Sequence, residues 1–173
     1  GVDNRKSIVK AISSLQIHMK EPGVKELAKK VGDNGKLKAT PNLSEAVRSA
    51  DVTIICVQTP LTQKTEPNLT YLQKACGAIA KNLSKGKLII VESTVPPRTT
   101  KSLVARILEK ESKLKCGEDF WLAHCPERIA PGGAIQEFIK NARIAGGFNR
   151  ESAEVAAELL RKVTNGGVLI TDC

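Results

Sequence analysis

One short segment places reactive side chains between rigid and flexible backbone positions. Residues 124–133 read HCPERIAPGG and follow the apolar run 120–123. Glu127 offers a carboxylate for general acid or base work, and Arg128 offers a guanidinium that binds anions. The prolines restrict the backbone around these two residues, and the glycine pair allows a ligand to come close. The segment is therefore a candidate catalytic and substrate-binding loop. An exposed charged pair that caps a helix is the alternative interpretation.

Two further polar segments follow apolar runs in the same way. Thr59 follows the run 52–57 within the segment 58–60 (QTP), and Thr94 follows the run 88–92 within the segment 93–96 (STVP). In open α/β sheets, ligands bind beyond the carboxyl ends of the strands. We therefore expect Thr59, Thr94 and Glu127 to lie together at one rim of a sheet. A role for Thr94 as the cap of the following helix is compatible with this placement.

The elements that would position these loops alternate between strands and helices. Short, continuous apolar runs are typical of strands buried on both faces of a parallel sheet. Such runs occupy 52–57, 88–92, 120–123 and 168–171, with a weaker one at 143–145. The sequence thus predicts an α/β fold with a Rossmann-like, doubly wound parallel sheet.

Helices are indicated by apolar residues three or four positions apart. A stripe of this kind runs from Leu69 to Leu83, and Gly86 fits the position just beyond a helix end. Pro96 can begin the next helix, and Asn42 and Asn149 can cap two others. Similar stripes predict helices around residues 8–15 and 24–31.

The composition fits one globular domain and excludes several classes of protein. The 173 residues are 41% apolar, no apolar window is long enough to cross a membrane, and no signal-peptide pattern opens the sequence. The five cysteines are widely spaced and form no CxxC pair, so neither a disulfide framework nor a metal site is expected. A reducing cytoplasm is the expected setting.

The net charge of +9 has two interpretations, nucleic-acid binding or lysines spread over solvated helix faces. The lysines are scattered along the chain, and aromatic residues make up only 3%, too few for base-stacking platforms. We therefore expect neither a nucleic acid nor a membrane as a partner.

The first three residues, Gly1-Val2-Asp3, resemble the end of a strand that carries a ribose-binding carboxylate. In dinucleotide-binding folds that acid lies about 20 residues after a GxGxxG loop. No GxGxxG occurs in the 173 residues. Asp3 as a capping residue for the following helix is the alternative.

Taken in order, five segments resemble the nucleotide-sugar 6-dehydrogenases, the UDP-glucose and UDP-N-acetylmannosamine dehydrogenase family. They are GVD at 1–3, IHMKEP at 17–22, the segment from ADV at 50 to QTP at 60, VESTVPP at 91–97 and CPERIAPG at 125–132. The forms IHxxEP and CPER are similar to those of the UDP-N-acetyl-D-mannosamine dehydrogenase branch. The glucose branch usually has PEFLxEG at the last segment.

The resemblance implies NAD as the cofactor and a UDP-sugar as the substrate. It implies oxidation of a sugar CH₂OH to a carboxylate in two hydride transfers, through a thiohemiacetal and a thioester on a cysteine. Asp3 would hold the adenosine ribose, and Arg5 would stand in for a basic residue that the family often has nearby. Thr59 and Thr94 would contact the cofactor.

The resemblance also implies which residues act on the substrate. Thr94 would help to position a water, and Glu127 would act as the acid or base when the thioester is hydrolysed. Arg128 and Ile129 would line the sugar-nucleotide site. Cys125 is expected to pack rather than react, and Cys173 matches no nucleophile motif.

Several parts of that family find no match in residues 1–173. They are the first strand with its glycine-rich loop, the central helix, the catalytic lysine and asparagine, the nucleophilic cysteine and the UDP-binding C-terminal domain. We therefore expect residues 1–173 to be an incomplete NAD-binding domain that is inactive alone, with a homo-oligomer formed only by the full-length protein. A β-hydroxyacid-dehydrogenase-like NAD domain and a non-catalytic interaction module are the alternatives.

Overall fold

The computed structural model describes residues 1–17 and 19–173, so His18 of the IHMKEP segment lies outside the described residues. The helices are α1 (Lys6–Ser13), α2 (Val24–Asp33), α3 (Leu43–Ser49), α4 (Thr70–Ala80), α5 (Ala105–Ser112), α6 (Ala134–Lys140) and α7 (Arg150–Arg161). The strands are β1 (Val52–Ile55), β2 (Leu88–Val91), β3 (Trp121–His124), β4 (Arg143–Gly147) and β5 (Val168–Asp172). A π-helical segment, Thr100–Val104, leads directly into α5. Among the described helices, none has the length and apolar character needed to span a membrane.

The five strands form one sheet in chain order, from β1 to β5. β1, β2 and β3 are parallel, β4 runs antiparallel to β3, and β5 is parallel to β4. The predicted α/β class is confirmed, and the sheet is mostly parallel. Because β4 is reversed, its first residue lies beside the carboxyl end of β3, where the candidate loop begins.

The two faces of the sheet are covered by different helices, as a doubly wound fold requires. On one face, Ile89, Val91 and Leu122 pack with the buried residues of α4 and α5. On the other face, Leu88, Ile90 and Ala123 pack against the small residues of α7. All four residues of β2 are buried, which agrees with its continuous apolar sequence.

The expectation that every strand is buried on both faces is wrong for β1 and β5. These two strands form the edges of the sheet, so each lacks a neighbour on one side. Ile54 is 47% exposed and Leu169 is 63% exposed. β1 also ends at Ile55, two residues before the predicted end, because the chain turns into the polar loop there.

Two helix boundaries and one whole helix also differ from the sequence-based expectation. Pro96 does not begin a helix, because the segment after β2 forms a turn first and the π-helical segment starts only at Thr100. Gly86 does not follow a helix directly, since α4 ends at Ala80 and the Gly86 N–H donates to the carbonyl of Asp119. No apolar stripe predicts α6 (Ala134–Lys140), which follows the candidate loop.

The two asparagine caps are confirmed. The Asn42 side chain accepts from the Glu45 N–H at 3.2 Å and donates to the Glu45 carboxylate at 3.1 Å, which is a reciprocal capping arrangement. Asn149 accepts from the Ser152 N–H at 2.9 Å and caps α7. Asp3 does not cap α1, because its carboxylate accepts from the Arg5 N–H just before the helix.

Two glycines allow a direct test of the packing around the sheet. A Cβ at Gly147 would overlap the backbone nitrogen of Ala153 and the carbonyl oxygen of Asn149, whereas one at Gly77, inside α4, meets no atom within 4 Å. Gly147→Ala is therefore expected to lower the free energy of unfolding by about 1–3 kcal/mol. Gly77→Ala is expected to raise it by about 0.5–1 kcal/mol, because alanine favours helix interiors. Urea denaturation of both variants measures the difference, and equal effects would contradict the packing described for β4 and α7.

Candidate functional site

A cleft of about 300 Å³ lies at the carboxyl ends of β1, β2 and β3. It is lined by residues 56–59 after β1, residues 92–94 after β2, and Glu127 after β3. Thr59, Thr94 and Glu127 therefore lie together, as the positions of the three loops in the sequence predict. Their chemical roles remain predictions.

Hydroxyl groups tie the first two loops to each other. The Thr59 hydroxyl donates to the Thr94 carbonyl at 2.7 Å. The Ser93 hydroxyl, which is buried, donates to the Val57 carbonyl at 2.7 Å. The two loops thus form one wall of the cleft with a fixed spacing, and the Thr94 side chain on this wall is exposed.

The carboxylates of the cleft are held by a buried arginine that the sequence did not reveal. The Arg143 side chain is 1% exposed. Its Nη2 donates to Glu92 Oε1 at 3.3 Å, and its Nη1 lies 3.7 Å from Glu127 Oε1. The guanidinium also lies over the ring of Phe138, 4.8 Å from the ring centre. A buried cation needs such counter-charges, so Arg143 fixes where the two carboxylates sit.

The reversed direction of β4 explains how an arginine can lie here. Residues 123 and 124 of β3 pair with Gly147 and Gly146, so the start of β4 extends past the end of β3. Arg143 is the first residue of β4 and reaches the segment 125–127 from that side. The available sequence signal was a charged residue at the start of the weak apolar run 143–145.

A cysteine in the cleft is not suited to act as a nucleophile. The Cys56 thiol lies 3.3 Å from Glu92 Oε2, to which it donates. Burial, followed by the charge of Glu92, raises the pKa of Cys56 to about 12. Cys56 therefore stays a thiol and not a thiolate at neutral pH. Burial likewise raises the pKa of Cys125 to about 12, and Cys125 packs in the core against α7, as expected.

Arg128 and Ile129 lie outside the residues that line the cleft. Arg128 Nη1 donates to the Ala142 carbonyl at 3.2 Å, and the Arg128 carbonyl accepts from Asn141 Nδ2 at 3.2 Å. The Arg128 N–H donates to Glu127 Oε1 at 2.6 Å, which adds a second restraint on that carboxylate. Ile129 is half-buried.

Asp3 and Arg5 form a separate pair near the start of the chain. Asp3 accepts from the Arg5 N–H at 2.8 Å and from Arg5 Nη2 at 3.1 Å. These hydrogen bonds hold the pKa of Asp3 below its usual value. Asp3 thus presents an ionised carboxylate near neutral pH, but neither residue lines the cleft with Glu127.

Comparison with known proteins gives a consistent result along nearly the whole chain. Residues 1–164 match the family model of the UDP-glucose/GDP-mannose dehydrogenase family, NAD binding domain. The chain is 40% identical over 172 residues to UDP-N-acetyl-D-mannosamine dehydrogenase of Pyrococcus horikoshii, covering 99% of the chain and 40% of that protein. The same named enzyme of Campylobacter jejuni is 42% identical over 179 residues, covering 99% of the chain and 43% of that protein.

The solved structures agree with the sequence relatives. The Pyrococcus horikoshii structure superimposes with a TM-score of 0.95, covering 100% of this chain and 41% of that one. A ternary complex of GDP-mannose dehydrogenase from Pseudomonas aeruginosa, 25% identical, gives a TM-score of 0.92, covering 99% of this chain and 40% of that one. The chain therefore spans about two fifths of the length of these relatives.

Removing one partner of the buried ion pair of Arg143 should destabilise the fold far more than removing one partner of an exposed pair. Arg143→Met leaves Glu92 without its cation and is expected to lower the free energy of unfolding by about 3 kcal/mol. Adding Glu92→Gln should recover part of this loss, because the uncompensated carboxylate is removed as well. Chemical denaturation of the single and double variants measures the coupling.

The matched control is the Arg150–Glu154 pair on α7, whose side chains are 88% and 41% exposed. Arg150→Met is expected to change stability by no more than about 0.5 kcal/mol. Similar losses for Arg143→Met and Arg150→Met would contradict the structural role given to Arg143.

The raised pKa of Cys56 predicts slow alkylation. At pH 8 a thiol with a pKa of about 12 is almost wholly protonated, so iodoacetamide should modify Cys56 at least about 100-fold more slowly than a free cysteine. Glu92→Gln should accelerate the reaction, because it removes the nearby negative charge that disfavours the thiolate. Peptide mass spectrometry measures both rates, with Glu118→Gln as a distant control. A rate at Cys56 equal to that of a free cysteine would refute this account of the cleft.

Proposed function

The chain belongs to the UDP-glucose/GDP-mannose dehydrogenase family, and on this premise we propose that it forms part of an NAD-dependent nucleotide-sugar 6-dehydrogenase. The proposed substrate is UDP-N-acetylmannosamine or a related UDP-hexose, oxidised at C6 to the uronic acid in two hydride transfers. The observation that carries the proposal is the cleft in which Glu127, whose Oε1 lies 3.7 Å from Arg143 Nη1, faces the Thr59 and Thr94 loops. The relatives named for the N-acetylmannosamine substrate, at 40% and 42% identity, support that choice of sugar.

The described residues fit the two ends of NAD better than its middle. The Asp3 carboxylate can accept hydrogen bonds from both hydroxyls of a ribose if these replace its hydrogen bonds from Arg5. The wall formed by Thr59 and Thr94 offers hydroxyl and backbone groups for the nicotinamide end. No GxGxxG segment occurs in the sequence to hold the pyrophosphate. NAD, when bound, accepts the hydride from the sugar carbon.

Glu127 is the proposed acid or base beside the reacting carbon. Its side chain is 44% exposed, so a substrate or a water can reach the carboxylate. The contacts from Arg143 and from the Arg128 N–H restrict the position of the Glu127 carboxylate. This reduces the conformational entropy that the carboxylate loses when it takes part in proton transfer. Arg128 and Ile129, on the same loop, are proposed to contact the sugar nucleotide. Arg128 would have to exchange its bond to Ala142 for a ligand oxygen.

The edges of the sheet support the assignment of residues 1–173 to an incomplete NAD-binding domain. Val2 pairs in parallel with Thr40, and β1 forms an edge with Ile54 exposed. In the strand order 3-2-1-4-5-6 of dinucleotide-binding folds, a central strand lies between these two positions. We propose that these residues alone do not turn over UDP-sugars. A nucleophilic cysteine, a lysine and the UDP-binding part would come from other segments of a polypeptide of the relatives' length. The unpaired thiols of the described cysteines fit the cytoplasm as the proposed location.

A turnover assay tests the proposal at two levels. Residues 1–173, mixed with NAD⁺ and UDP-N-acetylmannosamine, are expected to form no NADH above background. A polypeptide that carries this segment at the full length of its relatives is expected to form two NADH per sugar. One NADH per sugar, or none with any UDP-hexose, would refute the proposed reaction.

Glu127→Gln tests the proposed acid or base within that longer polypeptide. Removing a positioned proton-transfer group is expected to lower kcat by about 10²–10⁴-fold. The control is Glu118→Gln, because Glu118 is exposed and forms a surface ion pair with Lys115. Steady-state kinetics measure both variants, and an unchanged kcat for Glu127→Gln would remove Glu127 from the mechanism.

A further inference from the structure

The IHMKEP segment at 17–22 has no role in the function proposed above, yet one of its residues contacts the candidate loop directly. Glu21 lies in the turn between α1 and α2. Both oxygens of its carboxylate lie 3.0 Å from the Gly132 N–H nitrogen, and Oε2 accepts from the Ala134 N–H at 3.3 Å. These bonds join two segments that lie more than 100 residues apart in the sequence.

A second contact brings the same turn against α6. Gly23 has a φ of 78°, which an L side chain rarely adopts. A Cβ at Gly23 would lie 3.2 Å from the Cδ1 of Ile135, so the glycine lets the turn come close to α6. The turn 21–23 therefore packs on the beginning of α6 through a polar contact and an apolar one.

Little else joins the first 40 residues to the sheet. α1 has no buried residue, and α2 buries only Ala28. Within the described parts of the chain, the bonds of Glu21 are the only hydrogen bonds that link residues 1–40 to residues 43–173. Asp3 itself is tied to Thr40, whose hydroxyl accepts from the N–H of Asn42, the cap of α3. Glu21 therefore positions the turn 21–23 and the segment that it contacts, and not Asp3.

The other restraints on the candidate loop come from its own neighbourhood. Glu137 accepts from the Ala130 N–H at 2.8 Å, and Asn141 donates to the Arg128 carbonyl at 3.2 Å. Both residues follow the loop closely in sequence, so their hydrogen bonds shape the loop but do not connect it to the first 40 residues. Glu21 makes that connection.

We propose that Glu21 is a positioning residue that holds the segment 128–134 against the N-terminal 40 residues. It thereby restrains the end of the loop that carries Arg128 and Ile129. This inference rests on the proposed function for the role of Arg128 and Ile129 as contacts to the sugar nucleotide. The contact itself is present whatever the chain binds.

Nuclear magnetic resonance of the ¹⁵N-labelled 173-residue chain tests the proposal without cofactor or sugar. In Glu21→Ala, amide exchange at Gly132 and Ala134 is expected to become about tenfold faster or more, because both N–H groups lose a charged acceptor. The backbone order parameters of Arg128 and Ile129 are expected to fall at the same time. Glu21→Gln retains an acceptor oxygen and should restore most of the protection.

Glu26→Ala, in the first turn of α2, is the matched control and should behave as wild type. Unchanged exchange at Gly132 in Glu21→Ala would overturn the proposal, and so would a wild-type Gly132 amide that exchanges as fast as in an unfolded peptide. These outcomes would leave the proposed dehydrogenase reaction standing. Conversely, a failed turnover assay would leave the Glu21 contact intact.

Discussion

A buried positive charge is the constraint on which the geometry of the cleft depends. Arg143 is almost completely removed from water, and moving an arginine from water into the protein is unfavourable without counter-charges. Glu92 and Glu127 provide them from the ends of two different strands, and the Phe138 ring covers the guanidinium. One side chain of β4 thus joins the loops after β2 and β3. The cleft keeps its shape because separating these loops would leave a charge buried and unpaired.

Glu92 and Glu127 differ in their exposure and in the contacts that their oxygens make. Glu92 is 15% exposed, accepts the direct bond from Arg143 and accepts from the Cys56 thiol, so its oxygens are largely used. Glu127 is 44% exposed and lies farther from the guanidinium, so it remains open to the cleft. Glu92 is thus a mostly buried, structural carboxylate, and Glu127 is an accessible one. This arrangement is suited to proton transfer at Glu127. Arg143 thus connects the position of Glu127 to that of Glu92, although the two lie 35 positions apart.

The sequence predicted the parts of this structure that follow from local patterns. The apolar run of β2, the helical stripes and the caps at Asn42 and Asn149 each depend on residues close together in the chain, and each was confirmed. The position of a strand at an edge depends on its neighbours in the sheet, so the exposure of Ile54 and Leu169 did not follow from their apolar runs. Arg143 was missed for a similar reason, because its partners are distant in sequence and the reversal of β4 has no local signature.

The order of the motifs in the sequence does not reveal which of them are in contact in the folded chain. The segments 17–22 and 125–132 were separate features in the sequence, and only the fold shows that they belong to one contact. Glu21 bonds to backbone N–H groups, which every residue but proline possesses, so no matching side chain in the loop could have indicated the pairing. What the loop must provide is backbone freedom, and Gly132, with a φ of 101°, supplies it at the position where the bond forms. The carboxylate of Glu21 and the glycine at 132 thus provide the two sides of one contact between the segments 17–22 and 125–132.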